Sequence, residues 1–458
     1  MTTMSNISVP TSSPDLPPVE RHAALPAGFK AGGLAAGIKA SGRPDLAVIV
    51  TTDGPAAAAG VFTPNAFAAA PVRLSRAHLS ATSEDPRGGF GWAEAIISTS
   101  GSANAATGPA GDADQLEIAR LLAEATGAVV ERTLHLSTGI IGTRLPLDRV
   151  ANGLTALVPR LSGDDDGLQA AAEALCTTDS VAKTATAIID LPADDGTPVR
   201  VTVSGIAKGV GMIHPQMATM LSVILTDAAA APDALWGLLR PVAARTWNQL
   251  SVDGDTSTND TVFVLASGAS GATPIEYGTR EAAALGAAIE AVARDLARQQ
   301  AADGEGASTL ITAVVTGARD DADARAVARA VVSSSLVKAA AHGRDPNWGR
   351  IAGAAGNARA ATAGVLEAAG FEPAVAAARA GSPATLDPGR LRIWIAGHLV
   401  FDGSSGGPVS FDRTAARTAM EAAELVIALD LGLGTGRGEG FGCDLTETYV
   451  IENSEYTT

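Results

Sequence analysis

Ala182-Lys-Thr-Ala-Thr-Ala-Ile-Ile-Asp-Leu191 and Val199-Arg-Val-Thr-Val-Ser-Gly-Ile206 read as a strand pair around the turn Asp194-Asp195-Gly196. A glycine-rich segment leads from Lys208 into Thr219, and Thr219 to Thr226 then resumes β-branched and apolar content. Working backwards, Leu46 to Thr51, Ala95 to Thr99 and Thr133 to Ser137 read as strands, while Asp112 to Thr126 and, after the polar loop Ser162 to Gly167, Leu168 to Leu175 have helical periodicity. Working forwards, Pro232 to Leu250 and Arg280 to Ala302 read as helices, and Thr261 to Ala266 and Leu310 to Thr316 as strands. The last third mixes helices near Ala322 to Ala341 and Thr414 to Glu424 with strands near Leu391 to Ala396, Leu425 to Leu431 and Thr448 to Ile451. The order is that of a mixed α/β fold, with no fixed-period repeat to suggest a solenoid or propeller.

The chain has 458 residues, enough for two or three core-sized units. Apolar residues make up 46% and aromatics only 4%, so the core must be built from Ala, Val, Leu and Ile, a mix that suits helices packed closely on sheets. Residues 1–20, rich in Ser, Thr and Pro, read as a disordered tail. A formal net charge of -16 without any basic cluster argues against a nucleic acid partner. The two cysteines, Cys176 and Cys443, and the six scattered histidines show neither disulfide-framework nor metal-ligand spacing, so no metal is expected and the cytoplasm is the natural compartment. No apolar run is long enough for a membrane span. Gly432 to Gly442 alternates glycine after a strand but has neither the P-loop nor the G-x-G-x-x-G spacing, and reads as a flexible turn.

Chemistry concentrates in Lys208-Gly-Val-Gly-Met-Ile-His-Pro-Gln-Met-Ala-Thr-Met-Leu221. Lys208, His214 and Thr219 lie there among glycines and a proline, a loop that is costly unless it shapes a site. A threonine hydroxyl is a poor nucleophile without an adjoining base, and cutting the peptide bond before it frees its own α-amine for that work. On local pattern alone, Ala218 and Thr219 read rather as the start of a buried strand than as a nucleophile site.

The whole fourteen-residue string closely resembles the self-processing signature of the ornithine acetyltransferase (ArgJ) family. Further stretches resemble family motifs in family order: Ser137-Thr-Gly-Ile-Ile-Gly142, Thr177-Thr-Asp179, Asp255-Thr-Ser-Thr-Asn-Asp-Thr261, Asp303-Gly-Glu-Gly-Ala307, Asp345-Pro-Asn-Trp-Gly-Arg350 and Gly442-Cys-Asp-Leu-Thr446. The resemblance implies a layered α/β fold of the ArgJ/DmpA-like type, cleaved after Ala218 into an α chain (21–218 beyond the tail) and a β chain (219–458) with a smaller C-terminal domain from about residue 330. It implies Thr219 as nucleophile, Thr138 and Gly139 as oxyanion hole, and substrate contacts from Thr177, Lys208, Thr219, Glu305, Asn453 and Thr458, with Lys208 suited to a carboxylate and Glu305 to an ammonium. The implied reaction moves acetyl from N2-acetylornithine to glutamate without a cofactor, in an (αβ)2 or larger assembly, and leaves acetyl-CoA open as a second donor. Two departures stand out: Ser308-Thr309 replaces a common Thr-Lys, and Ser100-Gly-Ser-Ala-Asn104 lacks the commoner early Asn.

Three rival readings follow from the same residues. An N-terminal-nucleophile aminopeptidase or amidase would resolve the acyl-enzyme with water, and a related acetyltransferase of a specialised pathway would reuse the chemistry. A purely structural Ala-rich scaffold would leave the polypeptide whole.

Overall fold

The strand pair forms as the pattern requires. Lys183–Pro192 and Pro198–Lys208 run antiparallel, Lys183 opposite Ala207. They belong to a computed structural model that describes residues 16–83, 85–214 and 220–455. The described chain divides into two units, one of 16–243 with 256–300, the other of 244–255 with 301–455.

In the first unit a seven-stranded sheet has the order Val19–Glu20, Lys183–Pro192, Pro198–Lys208, Leu221–Thr226, Thr261–Ala266, Ala56–Phe62, Phe90–Ala93. All neighbours are antiparallel except Leu221–Thr226 and Thr261–Ala266, which run parallel. A second sheet orders Phe29–Leu34, Leu46–Thr51, Ala95–Ser102 and Thr133–Ile140, with the last pair parallel.

Helices Ala70–Ala81 and Asp165–Leu175 share one buried core with both sheets, through Val72, Leu79, Leu168 and Leu175 against Ile49, Leu136, Val223 and Phe263. Each such side chain contributes about 1.5–3 kcal/mol by leaving water. The other face of the smaller sheet is covered by Gly108–Thr126 and Leu147–Leu157, through Ile118, Leu122 and Leu154 on Val48 and Ile97. The small-residue composition permits the close layering. A Cβ on Gly33 would lie 2.1 Å from the Ala170 carbonyl oxygen.

The second unit is also built on a seven-stranded sheet, ordered Leu250–Ser251, Gly436–Cys443, Leu310–Ala318, Glu424–Asp430, Arg392–Ile395, His398–Asp402, Gly407–Pro408. Here the structure corrects the flexible turn expected at Gly432 to Gly442. Gly436–Cys443 is an interior strand, antiparallel to Leu310–Ala318. Its glycines recur with period two, and the face they occupy carries helix Asp321–Ser333: a Cβ on Gly438 would sit 2.6 Å from the Arg325 nitrogen, one on Gly440 2.8 Å from the Ala328 oxygen. Glycine serves here as the absence of a side chain, so that a helix backbone can lie against a strand.

A second correction concerns Thr448 to Ile451, expected as a strand. Glu447–Glu455 is a helix, because the Thr446 hydroxyl accepts the Tyr449 N–H at 3.3 Å and caps its first turn. The helix expected to reach Leu250 stops at Arg245, and the one expected over Thr414 to Glu424 is Arg413–Ala419, capped by Asp412. Among the described residues no helix is long and apolar enough to cross a membrane.

Candidate active site

Thr138 and Gly139 lie within the end of strand Thr133–Ile140, which the sequence reading ends at Ser137. Gly139 faces Gly101 of the parallel neighbour, and both have left-handed backbones, φ 125° and 123°. A Cβ on Gly139 would fall 2.4 Å from the Gly101 carbonyl carbon, so glycine is required both by conformation and by space. The buried Thr138 hydroxyl accepts a hydrogen bond from Lys208 Nζ at 2.9 Å. Lys208 ends strand Pro198–Lys208, and Gln300 Nε2 holds its carbonyl at 2.7 Å.

One buried carboxylate connects Lys208 to Thr177. Asp179 accepts the Thr177 N–H at 2.9 Å, the Gly209 N–H at 2.8 Å and the Lys183 ammonium at 2.5 Å. Burial opposes its ionisation, but Lys183, Lys208 and the Gly209 N–H outweigh burial and hold its pKa below the usual carboxylate range. Both members of the Asp179–Lys183 pair are fully buried. The neighbouring Cys176 thiol is pushed up to about 11 by burial and then by the Asp179 charge, which makes it inert.

Ala218 and Thr219, the expected cleavage pair, lie outside the described residues, but the chain on either side of them is anchored. The His214 carbonyl accepts the Thr256 hydroxyl at 3.0 Å, and the Met220 carbonyl accepts the Thr261 N–H at 2.8 Å. In the same loop Asn259 Nδ2 donates to the carbonyls of Ala103 at 2.7 Å and Ser137 at 2.8 Å. The stretch Thr256 to Thr261 therefore braces the Thr138–Gly139 strand and both flanks of the Lys208 to Leu221 signature. Asp260, in this brace, is 2% exposed, and its Oδ2 has no hydrogen-bond partner among the described residues. Burial raises its pKa well above the usual carboxylate range, only partly offset by Ser257, Lys208 and Thr63.

In the second unit, Asn453 Nδ2 donates to Glu305 Oε2 at 3.0 Å. Gly306 has φ 65°, and a Cβ there would sit 2.4 Å from the Tyr449 nitrogen, so the Glu305 loop lies tight against the helix that carries Asn453. Thr446 strengthens the link by donating to the Gly306 carbonyl at 2.7 Å. Asp444 fixes the other end of the loop by accepting the N–H groups of Ser308 and Thr309 at 2.8 and 3.0 Å and the Ser308 hydroxyl at 2.6 Å. Burial, followed by the carboxylates of Asp253, Glu305 and Asp255, pushes the Tyr449 phenol upward, the mark of an acidic patch suited to a cation. Cys443, also buried, is pushed upward by burial, and Lys338 reaches its sulfur at 3.6 Å. Thr458, expected to contact substrate, lies outside the described residues.

The structure thus joins Thr138, Gly139, Lys208 and Thr177 in one unit, and Glu305 with Asn453 in the other. Sequence reasoning gave no role to Asn259, Asp260, Lys183 or Asp444, although Asn259, Asp260 and Asp444 fall inside the quoted motifs.

A model of the ArgJ family matches residues 30–458. The chain belongs to the ArgJ family. Curated ArgJ relatives agree over almost the whole length: "Arginine biosynthesis bifunctional protein ArgJ" of Thermosynechococcus vestitus is 44% identical over 434 residues, covering 94% of this chain and 96% of that protein. The protein of the same name from Synechocystis is 42% identical over 450 residues, covering 96% and 98%. A crystal structure of the ArgJ protein of Bacillus halodurans is 36% identical, with a TM-score of 0.45, and covers 52% of this chain and 100% of that one.

Proposed function

We propose that this ArgJ protein is a glutamate N-acetyltransferase of arginine biosynthesis that carries acetyl from N2-acetylornithine to glutamate as an ester on Thr219. The family match over 30–458, with relatives named for arginine biosynthesis, carries the reading. The contact of Lys208 with Thr138 beside the Gly101–Gly139 approach supports the assignment of roles.

In this reading the chain cleaves itself between Ala218 and Thr219, giving an α chain that ends at 218 and a β chain of 219–458 with a C-terminal domain from about 330. The freed α-amine of Thr219 takes the hydroxyl proton as Oγ attacks the acetyl carbonyl. The Thr138 hydroxyl and the Gly139 N–H stabilise the oxyanion, ornithine leaves, and glutamate then accepts the acetyl group from the ester. Lys208 and Thr177 serve the amino-acid carboxylate. Glu305, oriented by Asn453, serves the ornithine ammonium, and Thr458 completes the contacts. The word "bifunctional" in the relatives' names supports acetyl-CoA as a second donor. We place the enzyme in the cytoplasm, as an (αβ)2 or larger assembly.

Mass measurement under denaturing conditions should find two chains that meet between Ala218 and Thr219, and label from acetylornithine should appear in N-acetylglutamate. Thr219→Ala should stay whole and lose at least about 10³-fold in transfer. Acetate release that ignores glutamate would instead identify a hydrolase.

A further inference from the structure

In the second unit, strand Gly436–Cys443 turns into helix Glu447–Glu455, the helix that carries Asn453 to Glu305. Helix Ser335–His342 grips this junction with one face. Lys338 Nζ donates to the Cys443 carbonyl, and the Lys338 carbonyl accepts the Leu445 N–H at 3.4 Å. One turn further on, His342 reaches both ends of the junction. Its Nδ1 lies 3.2 Å from Oδ2 of the buried Asp444, and its Nε2 lies 3.2 Å from Oε2 of the exposed Glu447.

The two carboxylates belong to different supports of Glu305. Asp444 accepts the Ser308 and Thr309 N–H groups and so fixes the loop that follows Glu305. Glu447 opens the helix whose Asn453 donates to Glu305 Oε2. Both carboxylates are acceptors, so the imidazole donates to one of them in either neutral tautomer and to both when it carries two protons. One side chain thus ties the anchor of the loop to the start of the helix. An exposed contact such as that to Glu447 adds little to stability, and its effect is on direction. Asn453 lies about 9 Å beyond Glu447 along the helix axis, so a tilt of about 10° at the junction moves it by about 1.5 Å. A shift of that size breaks the 3.0 Å hydrogen bond to Glu305.

We propose that His342 is a positioning residue for recognition of the substrate's side-chain ammonium: by clasping Asp444 and Glu447 it keeps Asn453, and through it Glu305, aimed at that cation. The proposal rests on the assignment of Glu305 to the ornithine ammonium made above. Glutamate has no such ammonium and does not call on Glu305, so the clasp bears on one half of the transfer cycle and not on the other.

The test compares kcat/KM for N2-acetylornithine with kcat/KM for glutamate, which report the two half-reactions of a ping-pong cycle separately. His342→Ala should lower the first at least about 10-fold, chiefly through KM, and leave the second within about 2-fold. N2-acetylnorvaline, the same carbon chain without the ammonium, should serve His342→Ala as well as it serves wild type. His342→Gln, which keeps one donor, should recover part of the loss. Glu447→Ala cuts the outer contact alone on an exposed side chain, and should lower the acetylornithine constant by a smaller factor, with no further loss when added to His342→Ala. Glu305→Gln is the reference for what the ammonium contact contributes. If Glu305→Gln spares N2-acetylornithine, the reading of Glu305 fails and the proposal with it, and wild type that moves no acetyl refutes the transferase itself. With Glu305→Gln impaired, a His342→Ala enzyme that keeps its acetylornithine constant, or loses both constants alike, overturns the role of His342 alone.

Discussion

Asp179 and Asp260 are both buried carboxyls in the same unit, yet their pKa values are displaced in opposite directions. Asp179 gathers an ammonium and two backbone N–H groups and is held ionised. Asp260 has no ammonium in contact and one oxygen without a partner among the described residues, and burial raises its pKa. Burial alone does not set charge; the supply of donors does. The Asp179 carboxylate organises, tying Thr177 to Gly209 beside Lys208.

The largest way to break the contrast is Asp179→Ala. It strands the Lys183 ammonium in the core, and should cost about 3–5 kcal/mol in urea unfolding.

Next comes the pH dependence, measured by urea unfolding in a Thr219→Ala background so that every variant stays whole. The folded pKa of Asp179 is depressed, so its stabilisation is complete above the unfolded value of about 3.9 and is lost as pH falls below it. Asp179→Asn should accordingly resemble its parent only in acid. The folded pKa of Asp260 is raised, so the native state binds the extra proton, and stability falls as pH rises above about 3.9. The parent should therefore lose up to about 1.4 kcal/mol per pH unit relative to Asp260→Asn over that window. Equal slopes for the two parent-minus-asparagine differences would abolish the distinction.

The smallest effect is expected from removing the ion pair whole. Asp179→Leu with Lys183→Met, of similar volume and apolar, should recover part of the Asp179→Ala loss and leave a deficit of about 1–3 kcal/mol, because the Gly209 and Thr177 N–H groups lose their acceptor, while KM rises.

Much of the frame was legible. Leu46–Thr51, Thr261–Ala266 and Arg280–Ala302 match their sequence readings residue for residue, since long or sharply bounded apolar patterns leave little choice. Gly436–Cys443 was misread although its period of two was visible, because glycine signals turns until a helix is known to lie on it. Glu447–Glu455 was misread because Val450 and Ile451 outweighed the Thr446 cap in the reading, though not in the fold. At the site, motifs marked Thr138, Lys208 and Glu305. Nothing local distinguishes Asp260 from the exposed acids around it, because its isolation arises only when Thr261 pairs beside Leu221. The Asp179–Lys183 pair was equally invisible, since its ends meet through burial rather than along a helix.

Each unit also carries one built-in chemical clock. Cys176 and Cys443 are 2% and 1% exposed, and both thiols resist ionisation, so a disulfide reagent must wait for local opening before it can react. The two labelling rates, told apart by peptide mass, time how often each half of the molecule breathes without any engineered probe.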